Sequence, residues 1–299
     1  MTSERAVNTT TVGRLVDDIA RRFHNHGIGE PMLEAREIVA ALYDVPRFWP
    51  LMNGSVEVEP DMLERAHFAA DRRAAGAPLA YAVGRANFRH LTLDVDERVL
   101  IPRPETEQLV DLVLDAIAND GVPSRVAIDV GTGSGAIALA LAAEGSFSRV
   151  FGTDISLDAL AVASRNADIC RPMLRAPVDF VHGSLVAPLL DVRASVVVSN
   201  PPYIALGEAG SLPASVRDWE PAVALYSGND GLTATTRLVH EAGEVLMPGG
   251  LLAIEVDVRR ASLVAELVSR DRRFYAIRVE LDLTGRERFV LARRQEMGG

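Results

Sequence analysis

The stretch "RVAIDVGTGSGAIALALA" (125–142) is a strand, a glycine loop and a helix in succession. Val126, Ile128 and Val130 are β-branched and apolar, which suits the interior of a sheet. Gly131, Gly133 and Gly135 let the backbone turn sharply and approach a ligand with no Cβ in the way, and Thr132 and Ser134 complete the loop. The alanine-rich helix after the loop directs the free amides of its first turn at that ligand. Two ligand classes fit. Ala136 completes a loose dinucleotide fingerprint, and Gly-x-Gly-x-Gly is equally the loop of S-adenosylmethionine enzymes. At this stretch both stay open, as does a plain tight turn.

Downstream, strand and helix patterns alternate. Strands are predicted at 126–130, 149–154, 178–182, 195–199, 250–256, 275–281 and 287–292, and helices at 105–119, 135–144, 156–168, 231–247 and 261–270. This order predicts an α/β fold, a doubly wound and mainly parallel sheet closed by an antiparallel hairpin through "DLTGRER". The second strand, "RVFGTDIS", ends at Asp154. A carboxylate at that tip can accept both hydroxyls of an adenosine ribose, whichever cofactor carries it. The competing reading makes Asp154 a cap for the helix near Ser156, itself a good capping residue.

"VVVSNPPYIA" (196–205) narrows the choice. The valines are a core strand, and two prolines end it because they cannot donate to a ladder. In a doubly wound sheet this tip lies beside the glycine loop, across the switch point where ligands bind. The Asn200 side-chain oxygen and a proline carbonyl are two acceptors for one substrate NH2, and Tyr203 can pack on the planar group bearing it. Such a device makes a poor amide or aromatic amine attack an electrophilic carbon. Nicotinamide enzymes have no use for it, so S-adenosylmethionine is the expected cofactor. The bland alternative is a strand-ending turn.

Ahead of the sheet, Val12, Leu15, Val16, Ile19 and Phe23 recur at helical spacing. A second helix is expected over 32–43, with Leu33, Ile38, Val39, Leu42 and Tyr43, and a third over about 60–75. The reading is a helical domain over 1–85, a β-hairpin linker over 86–104 and the sheet domain over 105–299. The hairpin is expected to turn at Asp96-Glu97-Arg98, between strands at 91–95 and 99–101.

The chain has 299 residues, 48% of them hydrophobic, and a formal charge of −10. All 31 basic residues are arginines, which excludes a lysine Schiff base and a phosphate loop of the Gly-Lys-Ser type. The acidic balance argues against a long nucleic-acid footprint. One cysteine, Cys170, permits no intrachain disulfide and reads as a small helix residue. The six histidines show no metal-ligand spacing, so no metal is expected. With neither a signal peptide nor an apolar anchor in view, a cytoplasmic protein is the default.

Over about residues 10–295 the sequence resembles the HemK/PrmC-type N5-glutamine methyltransferases of peptide chain release factors. The resemblance rests on "GAPLAYAVGRANF" (76–88), "VLIPRPETEQLVD" (99–111), "AIDVGTGSGAIALALA", "VVVSNPPYI", "WEPAVALYSGNDGL" (219–232) and "LTGRERFVLAR" (283–293). It implies a seven-stranded class I, Rossmann-like methyltransferase sheet behind a small helical domain that recognises substrate. It also implies S-adenosylmethionine as cofactor and the glutamine of the release factors' Gly-Gly-Gln loop as substrate, with neither a membrane nor a nucleic acid as partner. Residue by residue, it places the cofactor on Gly131, Thr132, Gly133, Ser134, Gly135 and Asp154, with Asn200 beside it. The substrate clamp falls on Asn200, Pro201, Pro202 and Tyr203.

Two places depart from the family pattern. The adenine contact, commonly an acidic–aromatic pair, reads "VHGSLVAPL" here, which leaves Gly183 and Ser184 as candidates. After the fifth strand, Gly and Gln are replaced by "EVDVRR" (255–260). "IPRPETE" reads as helix initiation, with Pro104 and the acids Glu105 and Glu107 suited to a first turn, or as a cofactor-pocket wall through Arg103 or Glu105. The rival functions are an adenine-N6 methyltransferase gripping a flipped base, a ribosomal-protein glutamine methyltransferase, and a non-catalytic protein that keeps the fold.

Overall fold

A computed structural model describes residues 10–118 and 124–296, in two compact units. The first comprises residues up to Arg85 together with Ala214–Trp219, and the second comprises Ala86–Pro213 and Glu220 onward.

The first unit is helical: α1 (Val12–Asn25), α2 (Pro31–Tyr43), the single turn α3 (Trp49–Met52), α4 (Pro60–Ala74) and α5 (Leu79–Val83). The Thr11 hydroxyl caps α1, and Pro31 and Pro60 open α2 and α4, where a missing N–H costs nothing. The predicted stripe on α1 is buried in full, with Ile38, Val39 and Leu42 of α2 facing it. Leu33, expected on the same face, is exposed instead.

The second unit opens with a hairpin, β1 (Arg85–Phe88) and β2 (Leu91–Asp94). Its turn is at Arg89-His90, not at 96–98, and Val99–Ile101 forms no strand. The Val99 amide is used in a turn, donating to the Asp96 carbonyl at 3.1 Å, Pro102 cannot extend a ladder, and β1 supplies the partner of β2 instead. Arg89 takes a positive φ of 55°. Its guanidinium bonds both oxygens of Glu144 at 2.7 Å and the Glu107 carbonyl at 2.9 Å. Phe88, Leu91 and Leu93 are buried in the same apolar cluster as the central strands, so the hairpin is part of this unit's core.

The sheet comes next: α6 (Pro104–Ile117), β3 (Val126–Val130), α7 (Ala136–Glu144), β4 (Arg149–Asp154), α8 (Leu157–Cys170), β5 (Val178–His182), β6 (Ala194–Ser199), the single turns α9 (Ala214–Arg217, in the first unit) and α10 (Ala222–Leu225), α11 (Thr233–Val245), β7 (Leu246–Glu255), α12 (Ala261–Arg270), β8 (Phe274–Leu281) and β9 (Glu287–Arg294). The strand order is β5-β4-β3-β6-β7-β9-β8, parallel from β5 to β7 and antiparallel at β9 and β8. Two apolar clusters cover its faces. The chain reverses its winding between β3 and β6, so the tips of both strands border one crevice. Cys170 is buried at the end of α8. Among the described residues, no helix is long and apolar enough to cross a membrane, and no cluster of histidine, cysteine or carboxylate side chains is arranged to hold a metal.

Candidate active site

A cleft of about 290 Å3 opens at the C-terminal tips of β3, β4 and β6. Gly131 and Gly133 border it on one side, with Asp154 next to them and Asn200, Pro201 and Pro202 across from them.

The glycine loop is held by β4. The Gly131 and Thr132 amides donate to the Thr153 carbonyl at 2.8 and 2.9 Å, and the Gly133 amide donates to Asp154 Oδ2 at 2.9 Å. The three loop glycines have φ of 73°, 55° and 85°. A Cβ at Gly131 or Gly133 would meet only open space, so those two leave the cleft clear. Gly135 serves packing: a Cβ there would lie 3.1 Å from the Phe180 ring and 3.3 Å from Ala163. Thr132 and Ser134 are buried beneath the loop and do not border the cleft.

Asp154 does not cap α8; the Ser156 hydroxyl does, accepting from the Ala159 amide at 3.2 Å. Asp154 Oδ1 accepts instead from the Ser156 amide at 2.9 Å. Each carboxylate oxygen thus has one backbone donor and one remaining lone pair on a cleft-lining residue. Gly183 and Ser184 border the same end, and Arg237 donates to Ser184 Oγ at 3.3 Å.

Beneath the loop lies an acid that the sequence reading passed over. Asp129 is fully buried, and its Oδ2 accepts from Thr132 Oγ1 at 2.6 Å and from the Ala138 amide at 3.1 Å. Its Oδ1 has no partner. Burial, with Asp154 nearby, pushes its pKa up to about 7. The signal was a lone carboxylate inside an apolar strand, between Ile128 and Val130.

At the tip of β6, Asn200 donates through Nδ2 to Thr106 Oγ1 at 3.1 Å, and Thr106 Oγ1 donates to Glu255 Oε2 at 2.7 Å. The Asn200 oxygen and the Pro201 carbonyl accept no bond from the described residues. Glu255, the last residue of β7, is 1% exposed. Burial pushes its pKa up to about 7 even though Thr106, Arg288 and Arg103 favour the ionised form. Tyr203 does not line the cleft; it is half-buried with Glu255 nearby, and burial raises its phenol to about 12.

The "EVDVRR" segment anchors the chain beyond the tetrad. The Arg260 guanidinium donates to the Asp230 carbonyl at 2.8 Å and to Glu208 at 3.0 Å, and Glu208 accepts from the Ala205 amide at 3.2 Å. Arg103, at the N-cap of α6, bonds the buried Glu220 at 2.6 and 2.7 Å. In the "IPRPETE" stretch it is Arg103 and Thr106 that bond buried carboxylates, Glu220 and Glu255. Thr106 and Glu255 carried weak signals: a hydroxyl among charged residues, and a carboxylate at a strand tip, as at Asp154.

Comparison with known proteins agrees with this architecture. The methyltransferase small domain family matches residues 106–212, and the PrmC N-terminal domain family matches residues 14–84. The release factor glutamine methyltransferase of Deinococcus radiodurans is 40% identical over 281 residues, covering 94% of this chain and 97% of its own length. That of Moorella thermoacetica is 39% identical, covering 96% and 99%. That of Streptomyces coelicolor is 36% identical, covering 93% and 96%. Among solved structures, the hMettl16 catalytic domain, in complex with the MAT2A 3'UTR hairpin 6, shares the fold with a TM-score of 0.54 and 16% identity over 80% of this chain and 83% of that one. A doubly wound sheet, a glycine loop under an acidic strand tip, an Asn-Pro-Pro-Tyr turn and full-length relatives lead to one assignment: the chain belongs to the family of release factor glutamine methyltransferases.

Proposed function

We propose that the protein transfers a methyl group from S-adenosylmethionine to the side-chain nitrogen of the glutamine in the Gly-Gly-Gln motif of peptide chain release factors, in the cytoplasm. The carrying observation is the tip of β6, where the Asn200 oxygen and the Pro201 carbonyl border a cleft and accept no bond from the described residues. Both are acceptors, and a primary amide offers two N–H donors. Two bonds of this kind hold the nitrogen in place and oppose delocalisation of its lone pair into the carbonyl, which is what an amide nitrogen needs to act as a nucleophile. The full-length relatives named above favour a glutamine amide over the amino group of a flipped adenine.

The residues at the other end of the cleft fit the cofactor. The open space over Gly131 and Gly133 admits a ligand to the backbone, and Asp154 retains lone pairs for ribose hydroxyls. Ser184, which lines the same cleft, is the residue assigned to the base in this reading. Bound there, S-adenosylmethionine supplies a methyl group on a positively charged sulfur, a good leaving centre. The chain's own task is then positioning and exclusion of water, which contributes several kcal/mol to such reactions. Asn200 and Pro201 hold the substrate nitrogen, and Pro202 forms part of the wall beside it. No strong base is required before transfer, because alkylation itself makes the nitrogen acidic.

The test is mass spectrometry of a purified release factor after incubation with protein and S-adenosylmethionine. One added methyl group, mapped to the glutamine of Gly-Gly-Gln, is expected. A methyl group on another residue, or a methylated nucleic acid in its place, rejects the reading.

A further inference from the structure

Under the tip of β6 a polar chain continues from Asn200 to two buried residues that the proposed reaction does not itself use. It runs from Asn200 Nδ2 to Thr106 Oγ1 at 3.1 Å, and from Thr106 Oγ1 to Glu255 Oε2 at 2.7 Å. It joins three elements, the tips of β6 and β7 and the first turn of α6. Thr106 is 4% exposed and Glu255 1%, so water cannot substitute for a missing partner.

The chain has a direction. An ionised carboxylate has no proton to give, so the single Thr106 hydroxyl proton points to Glu255. The Thr106 oxygen is then left with lone pairs alone, and only the NH2 of Asn200 can face it. The Asn200 oxygen is thereby turned the other way. Rotating the amide would set two acceptors against each other with no proton between them. With Glu255 ionised, the polarity does not depend on which amide atom is called oxygen, since it follows from counting protons along the chain.

We propose that Thr106 and Glu255 are positioning residues that lock the polarity of the Asn200 amide, so that its oxygen and never its NH2 is offered to the substrate nitrogen. The inference rests on the functional reading above. The charged and titratable groups around Glu255 are Arg288 of β9, Arg103 before α6, Glu105 on α6 and the Tyr203 phenol. The two arginines favour the ionised form, and Glu105 opposes it. Burial holds the carboxyl near neutrality, so the lock is strongest above about pH 7.

The test pairs Thr106→Val, which removes the hydroxyl at nearly constant volume, with Thr106→Ser, which keeps it. In single-turnover methylation of a release factor, Thr106→Val is expected to lose about 10-fold to 100-fold in rate, while S-adenosylmethionine affinity and substrate KM stay within about 3-fold. Thr106→Ser is expected to stay within about 3-fold of the unaltered protein. The second measurement needs no activity: the 15N side-chain amide signal of Asn200, assigned by its loss in Asn200→Ala. Its NH2 should exchange slowly with solvent in the unaltered protein and in Thr106→Ser, and rapidly in Thr106→Val. An unprotected Asn200 NH2 in the unaltered protein overturns the proposal, as does a Thr106→Val protein at full rate or a folded Thr106→Ser as slow as Thr106→Val. If the unaltered protein methylates no release factor, the functional reading fails, and the exchange measurement still decides the polarity lock.

Discussion

Replacing Glu255 by Gln should make the protein more stable at alkaline pH and leave its stability almost unchanged in mild acid. Glu255 is 1% exposed, and burial lifts its carboxyl from 4.5 to about 7. The folded state therefore binds this proton more tightly than the unfolded chain does. Stability falls as pH rises through the interval from about 4.5 to about 7, and the whole penalty is present above it. At about 1.4 kcal/mol for each pH step, the ionised, folded carboxylate carries a penalty of about 3 kcal/mol. Gln has no such penalty, and the figure already contains the bond to Thr106, which favours the ionised form. The expected gain is therefore about 3 kcal/mol at about pH 8, falling below about 1 kcal/mol at about pH 5, where the native carboxyl is already neutral. Urea unfolding of both proteins at the two pH values measures it. Asp129, also raised to about 7, acts in both proteins and cancels in the difference. A difference that does not change with pH, or a Gln variant that is less stable at alkaline pH, refutes the reasoning.

Asp154→Asn keeps the shape but loses the charge that ribose hydroxyls would bond, so calorimetry should show S-adenosylmethionine affinity reduced by about 1.5–3 kcal/mol. Gly152→Ala puts a Cβ 2.6 Å from the Phe180 ring and 2.7 Å from Thr132 Oγ1. It should lower the melting temperature and, by displacing Thr132 from Asp129, weaken cofactor binding as well. Arg260→Ala removes a 9% exposed guanidinium from Asp230 and Glu208. Limited proteolysis should then cut faster within 204–231, whereas unchanged cleavage would show that Arg260 does not hold that segment.

The strands from β3 onward were readable because each is a short apolar run bounded by glycine, proline or an acid, and because alternation with helices restricts the topology to few solutions. The hairpin was misplaced because "RANF" is only four residues long and has no β-branched residue, while "VLI" looks like a strand until the prolines after it are weighed. Gly131, Gly133, Asp154 and Asn200 were legible because strand-tip chemistry is local. Thr106 and Glu255 were not: they lie 149 residues apart, and their meaning appears only when α6 and β7 bring them to the same amide. Asp129 was hidden by its setting, since a strand pattern invites attention to the valines and isoleucine around it. Tyr203 follows the two prolines and does not line the cleft, a placement that the motif alone did not reveal.

The central claim is that Asn200 holds the substrate nitrogen and not the cofactor. The direct measurement is single-turnover methyl transfer by Asn200→Ala to a release factor, with S-adenosylmethionine affinity determined on the same protein. A rate lower by about 100-fold to 1000-fold, with affinity within a few-fold of the unaltered protein, is the expected result. A near-normal rate, or a loss explained entirely by weakened cofactor binding, contradicts the account.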